Sequence, residues 1–433
     1  MKILKYNDAA FEAEFEAVLA TSSLFDAEVE ASVRKILEAV RTKGDKALVD
    51  FAAKFDKVTL RPDGLKVTVE EQVAAALKTV CQPGVEKAMK EAHKNIASFA
   101  KKSLRKNWQS TNSHGAKVGE KFDPFYRVGI YVPAGKAPLA STALMTITLA
   151  AAAGCKEIVV CTPCGKDGTI QPELLYAAML AGATEIYRVG GAQAIAAMAY
   201  GTRTIGKVQK IFGPGNAYVV AAKRLLFGHV ALDLLPGPSE VLVIADADAN
   251  PAFIAADILA QAEHGSGKER VWMVTPSGRI LTAVRKEIEK QLKTSDRKEL
   301  LSRVLENGTA LIQVKDMKQA ITLANRLAPE HCEVMTKDPR AVADQIHTAG
   351  ALMLGSYSPA VLGDYVAGPS HTLPTGGAGV SFAGLTVDQF QRRTSVVEYS
   401  KTSLKKALPT VQKFAAMEGL TAHGRSAEMR LKK

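Results

Sequence analysis

Short runs of β-branched and apolar residues alternate with helix-like segments from about Arg127 to Leu354, and this alternation constrains the fold more than any other feature of the sequence. Strand-like runs separated by helices at this spacing predict parallel sheets in an α/β fold. Eight runs are typical of strands, at residues 128–132, 157–161, 185–189, 210–212, 241–245, 270–274, 310–314 and 351–354.

The segments on either side of this region lack the alternation. Residues from about 27 to 103 show helical periodicity, with breaks at Gly44 and at the turn of residues 82–84. From about Phe382 the chain becomes an amphipathic, basic tail, which is expected either to dock on its own core or to reach a partner. A chain of 433 residues exceeds one comfortable core, so two or more domains are expected, with a boundary near the turn of residues 236–239.

The charge pattern bears on the class of ligand. The net charge is +12, but the lysines and arginines are scattered over predicted helix faces and few aromatic residues lie among them. A nucleic-acid surface would need basic residues gathered on one face, so no nucleic-acid partner is expected. The positive field instead favours an anionic small ligand.

The cysteines and the apolar segments indicate the cellular compartment in which the protein is expected. Five cysteines in a chain of this length do not indicate a disulfide framework. The acidic residues near the N-terminus argue against a secretory signal, and the apolar stretch 137–154 is broken by Ser and Thr, which predicts a buried helix rather than a membrane span. A cytoplasmic protein without membrane contact is expected.

Two of these cysteines form a C-x-x-C pair. Cys161 and Cys164 stand at the exit of a predicted strand, whereas a redox pair is normally placed at the N-terminus of a helix, where the thiolate is stabilised. A structural role is therefore favoured, with a redox or metal role as the alternative.

Gln261 and His264 are three residues apart on a predicted helix, so both project from one face. Far downstream, Asp364 and His423 are isolated candidates that could complete a zinc site with them. Each residue also has a structural interpretation: His264 precedes Gly265, a natural helix C-cap, and Asp364 follows a glycine in a turn-like segment. Glutamine is moreover a weak zinc donor.

The adjacent residues Glu330 and His331 follow Pro329, which fixes the chain just before two groups capable of proton transfer. They are candidates for a base and its orienting partner. His371 lies in a loop rich in glycine and proline, where a histidine is more often a hydrogen-bonding residue than a catalyst.

Three glycine-rich turns follow predicted strands. They lie at residues 133–135, 190–194 and 213–216. Because α/β sheets bind ligands at the carboxyl ends of their strands, these turns predict a nucleotide-binding crevice. None is the G-x-G-x-x-G fingerprint, and no acidic residue about 20 positions later is an obvious ribose ligand.

Taken together and in order, eight motifs closely resemble histidinol dehydrogenase over nearly the whole chain. They are residues 129–135 (GIYVPAG), 190–194 (GGAQA), 213–216 (GPGN), 237–240 (GPSE), 261–265 (QAEHG), 328–331 (APEH), 363–375 (GDYVAGPSHTLPT) and 418–423 (EGLTAH). Two positions depart from the family's usual residues: Ser370 stands in place of asparagine, and Cys164 in place of proline.

This resemblance implies a zinc- and NAD-dependent enzyme that oxidises L-histidinol through L-histidinal to L-histidine, the last step of histidine biosynthesis, and reduces two NAD. It implies a homodimer in which the C-terminal arm completes the partner's site. The implied roles are zinc binding by Gln261, His264, Asp364 and His423, acid-base catalysis by Glu330 and His331, NAD contact by Tyr131, Gln193 and Asn216, and substrate binding by Ser239, His371 and Glu418 together with His331 and the four zinc ligands.

The resemblance also implies two incomplete Rossmann-like domains with parallel sheets, plus small helical segments at both termini. The expected division is a helical segment at residues 1–25, a first α/β domain at 26–128 and 239–381 with the metal and acid-base residues, a second at 129–238 with the NAD contacts, and an arm at 382–433.

Three alternatives remain open at this point. The enzyme could oxidise another small alcohol, such as a sulfonated diol, or it could be a zinc hydrolase with Glu330 as base. Cys332 could act as a nucleophile, although in an extended segment its side chain would point away from His331.

Overall fold

The computed structural model describes residues 1–20, 26–133, 139–264 and 266–432. Glycines 135 and 265, which belong to motifs named above, lie outside these residues. The strands are β1 (Lys2–Lys5), β2 (Trp108–Thr111), β3 (Lys117–Pro124), β4 (Arg127–Tyr131), β5 (Glu157–Thr162), β6 (Glu185–Arg188), β7 (Lys210–Phe212), β8 (Ala231–Leu232), β9 (Glu240–Ala245), β10 (Arg270–Thr275), β11 (Thr309–Gln313), β12 (His331–Met335), β13 (Ala351–Leu354) and β14 (Gln391–Glu398).

The helices fill most of the chain between the strands. They are α1 (Phe11–Leu19), α2 (Ala27–Lys43), α3 (Asp45–Phe51), α4 (Val69–Val80), α5 (Val85–Ser103), α6 (Ala140–Ala153), α7 (Pro172–Ala181), α8 (Gly191–Tyr200), α9 (Ala217–Leu226), α10 (Pro251–Ala262), α11 (Gly278–Leu292), α12 (Lys298–Asn307), α13 (Met317–Leu327), α14 (Pro339–Ala343), α15 (Ala360–Tyr365), α16 (Lys401–Met417) and α17 (Thr421–Met429). A π-helical turn (Ala52–Asp56) follows α3, and short 3-10 turns occur at Pro62–Leu65, Ala378–Val380 and Val387–Phe390. No helix among the described residues is both long enough and apolar enough to span a membrane.

One parallel sheet has five strands in the order β6-β5-β4-β7-β8. Its strands are almost entirely apolar because helices cover both faces, with α6 and α7 on one and α8 and α9 on the other. The chain winds outward in both directions from β4, so the strand order reverses between β4 and β7. Such a switch point opens a crevice at the carboxyl edge of a sheet.

The second parallel sheet has six strands in the order β1-β11-β10-β9-β12-β13. Helices α10, α11 and α12 pack on one face, and α1 and α13 pack on the other. The two parallel sheets confirm the predicted α/β class, and all eight predicted strands are present within one or two residues of their predicted bounds.

A third, antiparallel sheet joins the C-terminal tail to the rest of the chain. Strand β14 pairs with β3 over eight residues, and β3 pairs with β2. Beyond β14, helices α16 and α17 pack mainly on each other. The tail was predicted to be helical, so β14 is a difference; its strand is mostly exposed and lacks a strong apolar alternation.

The packing of the N-terminal half differs from the predicted division of the chain. Helix α2 packs against α8 and α9, α4 against α7, and α5 against α6, so these helices cover the five-stranded sheet rather than the six-stranded one to which residues 26–128 were assigned. The N-terminal segment also contributes β1 to the edge of the six-stranded sheet, although only a helix was predicted there. The domain boundaries themselves stay a prediction.

Candidate active site

His331 begins strand β12 and Glu330 immediately precedes it, three residues after the end of helix α13. The helix ends at Leu327, and Ala328 takes a left-handed conformation with φ of 46° that turns the chain into the strand. Glu330 is 6% exposed and His331 is 3% exposed. A sharp turn therefore places two ionisable side chains, side by side and out of bulk water, at the amino end of a central strand.

The backbone of Glu240, at the start of the neighbouring strand β9, holds both side chains. Its N–H donates to Glu330 Oε2 at 2.8 Å, and its carbonyl oxygen lies 3.1 Å from His331 Nδ1. A carbonyl oxygen can only accept, so Nδ1 of His331 carries a proton and Nε2 of the neutral ring is left as a proton acceptor. Nε2 in turn lies 3.7 Å from Asp364 Oδ1.

Burial shifts the pKa values of the two groups in opposite directions. Burial raises the pKa of Glu330 well above its usual value, and the nearby carboxylates of Glu240 and Asp364 raise it further. Burial lowers the pKa of His331, and the negative charge of Asp364 opposes this effect. At neutral pH His331 is therefore an unprotonated base, while Glu330 is a carboxyl group that gives up its proton only reluctantly.

The side chain of Glu240 is an additional buried acid at this site, and sequence reasoning assigned it no role. Its Oε1 accepts a hydrogen bond from Gly376 N at 3.0 Å and lies 3.7 Å from Arg270 Nη1. Burial raises the pKa of Glu240 to about 7, with Arg270 opposing. The only signal in the sequence was its place beside Ser239, which is partly buried and immediately precedes β9.

Asp364, on the short helix α15, links His331 to His371. The Oδ1 atom of Asp364 lies 3.8 Å from His371 Nδ1, and this same Nδ1 donates a hydrogen bond to the Asp364 carbonyl oxygen at 3.1 Å. His371 Nε2 lies 3.2 Å from the hydroxyl of Thr142, in the first turn of α6. Since α6 follows β4, this contact joins the carboxyl edge of the five-stranded sheet to the amino edge of the six-stranded sheet.

Gln261 lies in the last turn of helix α10, which ends at Ala262, and His264 follows in the turn beyond it rather than on the helix as predicted. The amide of Gln261 is buried, and its Nε2 atom has no hydrogen-bond partner among the described residues. His264 Nδ1 donates to the Gln261 carbonyl oxygen at 3.1 Å, which leaves Nε2 free to face a ligand. Burial lowers the pKa values of His331 and His371, the negative charge of Asp364 opposes this, and the charge of His264 adds to the lowering, so the three rings share one region.

The arm residues Glu418 and His423 are not part of this cluster within one chain. Both are exposed at the junction of α16 and α17, and their side chains form no hydrogen bond or ion pair with any residue that the structure describes. Within the described residues there is no group of three or more His, Cys, Asp or Glu side chains that could hold a metal. His264, Asp364 and His423 of one chain therefore do not meet.

The three residues expected to contact NAD surround one cavity. Tyr131, Gln193 and Asn216 all line a cavity of about 1030 Å³ at the carboxyl edge of the five-stranded sheet. Gly191 N donates to the Tyr131 hydroxyl at 3.0 Å, and Asn216 caps helix α9 by accepting from Val219 N at 3.2 Å. A crevice is present at the glycine-rich turns, where the strand order reverses, and its binding of a nucleotide stays a prediction.

A fully buried ion pair holds the turn at Gly213, which packs against Tyr131 beside this cavity. Lys223 Nζ donates to the carboxylate of Asp233, to Gly213 O at 3.0 Å and to Leu234 O at 2.7 Å. Asp233 accepts from Gly213 N at 2.7 Å. Gly213 has a φ of 111°, and a Cβ there would lie 2.0 Å from Tyr131 O, so only glycine allows this close approach.

The cysteines provide little reactive chemistry. Cys332 is fully buried in the core on the face of β12 opposite His331, and burial raises the pKa of its thiol. Cys161 is likewise buried, while Cys164 lines the large cavity. Burial raises the pKa of both thiols, so neither is stabilised as a thiolate, and neither forms a disulfide.

A family model, curated relatives and a solved structure all match this chain over nearly its whole length. A family model described as histidinol dehydrogenase matches residues 19–431. The chain is 45% identical over 402 residues to the histidinol dehydrogenase of Geobacillus kaustophilus, covering 93% of this chain and 94% of the relative. It is 44% identical to that of Rhizobium meliloti over 99% of this chain and 98% of the relative. The crystal structure of histidinol dehydrogenase from Elizabethkingia anophelis matches with a TM-score of 0.94 at 35% identity, covering 100% of this chain and 98% of that one.

Proposed function

Because this chain belongs to the histidinol dehydrogenase family of oxidoreductases, we propose that it oxidises L-histidinol through L-histidinal to L-histidine, with the reduction of two NAD, as the last step of histidine biosynthesis. The observation that carries the proposal is the convergence of Glu330, His331, Asp364 and His371 at one buried point. A buried acid beside a neutral imidazole is suited to moving protons during two successive oxidations.

His331 is the base in the first oxidation. Its Nε2 atom is unprotonated because Nδ1 is fixed on the Glu240 carbonyl, and its lowered pKa keeps the ring neutral at physiological pH. Nε2 can therefore take the hydroxyl proton of the alcohol while the hydride leaves the same carbon. NAD, when bound, supplies the acceptor for that hydride.

Glu330 activates water in the second half of the reaction. A carboxyl group with a raised pKa is a stronger base once it is ionised, and it exchanges protons closer to neutral pH than an exposed glutamate. Glu330 takes a proton from water as that water adds to the aldehyde. His331 returns the proton of the first oxidation to the aldehyde oxygen as the water adds, which gives a neutral hydrate. Its Nε2 atom then takes a hydroxyl proton from that hydrate as the second hydride leaves to a second NAD.

The residues expected to hold zinc fit such an ion in their chemistry. Gln261 ends in a buried amide with an unpaired atom, and its nitrogen and oxygen can be exchanged by a simple flip that would present the oxygen. His264 has its Nδ1 fixed and its Nε2 free, and Asp364 offers a carboxylate. We infer that these three residues bind zinc together with the His423 that the arm of the other subunit would supply. The ion would act as a Lewis acid that orients and polarises the substrate.

Substrate and NAD would occupy adjoining spaces. Ser239, His371 and Glu418 are the residues that we expect to hold the substrate beside His331 and the zinc ligands. Tyr131, Gln193 and Asn216 line the large cavity, which is where we place NAD. Thr142, in the first turn of the helix that follows Tyr131, touches His371, so the two spaces share a wall.

We also infer that the enzyme is a homodimer with shared sites. The C-terminal helices present Phe414, Met417, Leu420 and Met429 as exposed apolar side chains on the arm that carries Glu418 and His423. An apolar surface of this kind favours a protein partner. A second copy of the chain would cover it and could receive His423 into its own site. The five unpaired cysteines support a reducing location, for which we propose the cytoplasm.

The test is an absorbance assay for NADH with L-histidinol as substrate. Two NADH per molecule of L-histidinol support the proposal. NADH formed only with a different alcohol, such as a sulfonated diol, would show that this other alcohol is the substrate. Absence of NADH with every alcohol, together with hydrolysis of an ester or amide, would replace the proposal with a zinc hydrolase in which Glu330 is the base.

A further inference from the structure

The five-stranded sheet lacks an acidic residue where a dinucleotide-binding unit normally carries one. In such units the acid follows the second strand of the βαβ motif and accepts hydrogen bonds from the ribose hydroxyls. Here β4, α6 and β5 form the first two strands and their connecting helix. The residues directly after β5 are Pro163, Cys164 and Gly165. The next acid, Asp167, is exposed, binds the Thr169 hydroxyl at 2.7 Å and does not line the cavity.

Another part of the chain brings an acid to this place. Asp56 ends the π-helical turn after α3, and it lines the large cavity together with Tyr131 and Cys164. Cys164 follows the carboxyl end of β5, so Asp56 faces the same cavity as the strand end that would otherwise carry the acid. After burial, the negative charge of Asp56 raises the pKa of the Cys164 thiol and contributes to raising that of the Tyr131 hydroxyl, which shows how near the three groups lie.

Asp56 has no internal partner to explain its position. Its side chain is only partly exposed, and it forms no hydrogen bond or ion pair with the residues that the structure describes. Burial alone raises its pKa. A carboxylate that loses water without gaining a hydrogen bond is unfavourable, so its place in a large cavity points to a ligand that donates hydrogen bonds.

We propose that Asp56 accepts hydrogen bonds from the adenosine ribose hydroxyls of NAD and that its negative charge excludes the 2′-phosphate of NADP. The inference rests on the proposed function, because it needs NAD in this cavity. It adds a specificity-determining residue from outside the βαβ unit, which explains why the usual acidic residue is missing from the sequence of that unit.

Two lysines that line the same cavity raise the competing possibility that it binds the 2′-phosphate of NADP. Lys35 and Lys54 are exposed residues that also line it. Their positive charges suit the pyrophosphate that NAD and NADP share, so they favour both dinucleotides. If they instead held a 2′-phosphate, the wild-type enzyme would use NADP at least as well as NAD, and the proposal would be wrong.

The experiment compares the wild-type enzyme with Asp56→Ala and Asp56→Asn by titration with NAD and with NADP and by steady-state rates. Loss of charge-assisted hydrogen bonds should weaken NAD binding about 10- to 100-fold in Asp56→Ala. NADP binding should be unchanged or tighter, so that the preference for NAD falls about 10-fold or more. Asp56→Asn keeps one acceptor oxygen, so it should lose less NAD affinity but should gain NADP affinity, because the repelling charge is gone.

Asp50→Asn is the matched control. Asp50 is an exposed acid on α3 that does not line the cavity, and this substitution removes the same charge. It should leave both affinities unchanged. All three variants should keep the wild-type melting temperature, since Asp56 makes no internal contact that its loss would break.

The outcomes separate this inference from the proposed function. If the wild-type enzyme reduces NAD with L-histidinol but Asp56→Ala and Asp56→Asn keep its affinity for NAD and its preference over NADP, only the role of Asp56 is overturned. If the wild-type enzyme neither binds nor reduces NAD, the proposed function is overturned and the role of Asp56 with it.

Discussion

Glu333 Oε1 accepts a hydrogen bond from the backbone N–H of Ala360 at 2.7 Å, which ties the central strand β12 to the start of helix α15. That helix carries Asp364. The carboxyl group of Asp257 raises the pKa of Glu333, so it lies nearby; Asp257 is on α10, the helix that carries Gln261 and ends just before His264. One buried carboxyl group thus connects the strand of His331 with both helices that bear the expected zinc ligands.

Glu333→Gln should remove a pH dependence of stability. Burial raises the pKa of Glu333, and Asp257 raises it further. The folded state therefore holds a proton that the unfolded chain releases at lower pH, so the wild-type free energy of unfolding falls as pH rises between the two pKa values. A glutamine amide can accept from Ala360 and donate to Asp257. Denaturant unfolding at pH 5 and pH 9 should show a smaller loss of unfolding free energy for the variant than for the wild type; an equal loss would show that Glu333 does not hold this proton.

His331→Asn should lower kcat about 10²- to 10⁴-fold, because the reaction loses its base. The wild-type kcat/KM should fall at acidic pH, as His331 becomes protonated below the usual histidine range, and this acid limb should be absent in the variant. His347→Gln, at an exposed histidine, is the control and should keep the wild-type profile. An unchanged acid limb in His331→Asn would assign the ionisation to another group.

Glu330→Gln should separate the two oxidations. The amide oxygen can still accept from Glu240 N, so the local geometry should persist, but the group can no longer take a proton from water. The yield should therefore fall from two NADH toward one per molecule of L-histidinol, with the aldehyde accumulating. Trapping the product with a carbonyl reagent measures this. Equal slowing of both steps, without released aldehyde, would show that Glu330 does not act on water.

Lys223→Met should destabilise the protein by about 3–5 kcal/mol, because the buried carboxylate of Asp233 would lose its charge partner. Adding Asp233→Asn should recover part of that loss, since the amide is neutral and its oxygen can still accept from Gly213 N. Arg41→Met, which breaks an exposed pair with Glu38, should leave the unfolding free energy nearly unchanged. Equal effects of the Lys223 and Arg41 variants would contradict the role given to burial.

Mixing His331→Ala enzyme with His423→Ala enzyme under conditions of subunit exchange should restore activity. If the arm crosses to the partner, a mixed dimer contains one site with neither substitution, and random exchange gives about a quarter of the wild-type sites. Mixing His331→Ala with Glu330→Ala is the control, because both changes lie in the same half of the site and no native site can form. Recovery absent from the first mixture would place the arm on its own subunit.

The sequence predicted strands that are mainly apolar, and it missed strands in which polar or exposed residues prevail. Strand β12 lies between β9 and β13, yet its sequence includes His331 and Glu333, so hydrophobic periodicity did not reveal it. Strand β14 is exposed and owes its form to pairing with β3, a partner more than 260 residues away in the chain.

The same limit applies to the site. Glu330, His331 and Asp364 were singled out by their residue types and by the family resemblance, and the structure brings them together. Glu240 and Asp56 were not, because their roles follow from burial and from neighbours that are distant in sequence. Residue type and spacing indicate which groups can do chemistry, whereas the packing of the whole chain decides which of them lose water and face a cavity.

The imidazole ring of His371 has a hydrogen-bond partner at each nitrogen, the Asp364 carbonyl at Nδ1 and the Thr142 hydroxyl at Nε2. The Asp364 carbonyl fixes the proton on Nδ1, so Nε2 accepts from the threonine hydroxyl, and the two partners come from segments of the two different sheets. Sliding one sheet by an ångström past the other would release Nε2 and leave it open to a new donor. The pairing of both nitrogens of this one ring therefore depends on how the two sheets are placed relative to each other.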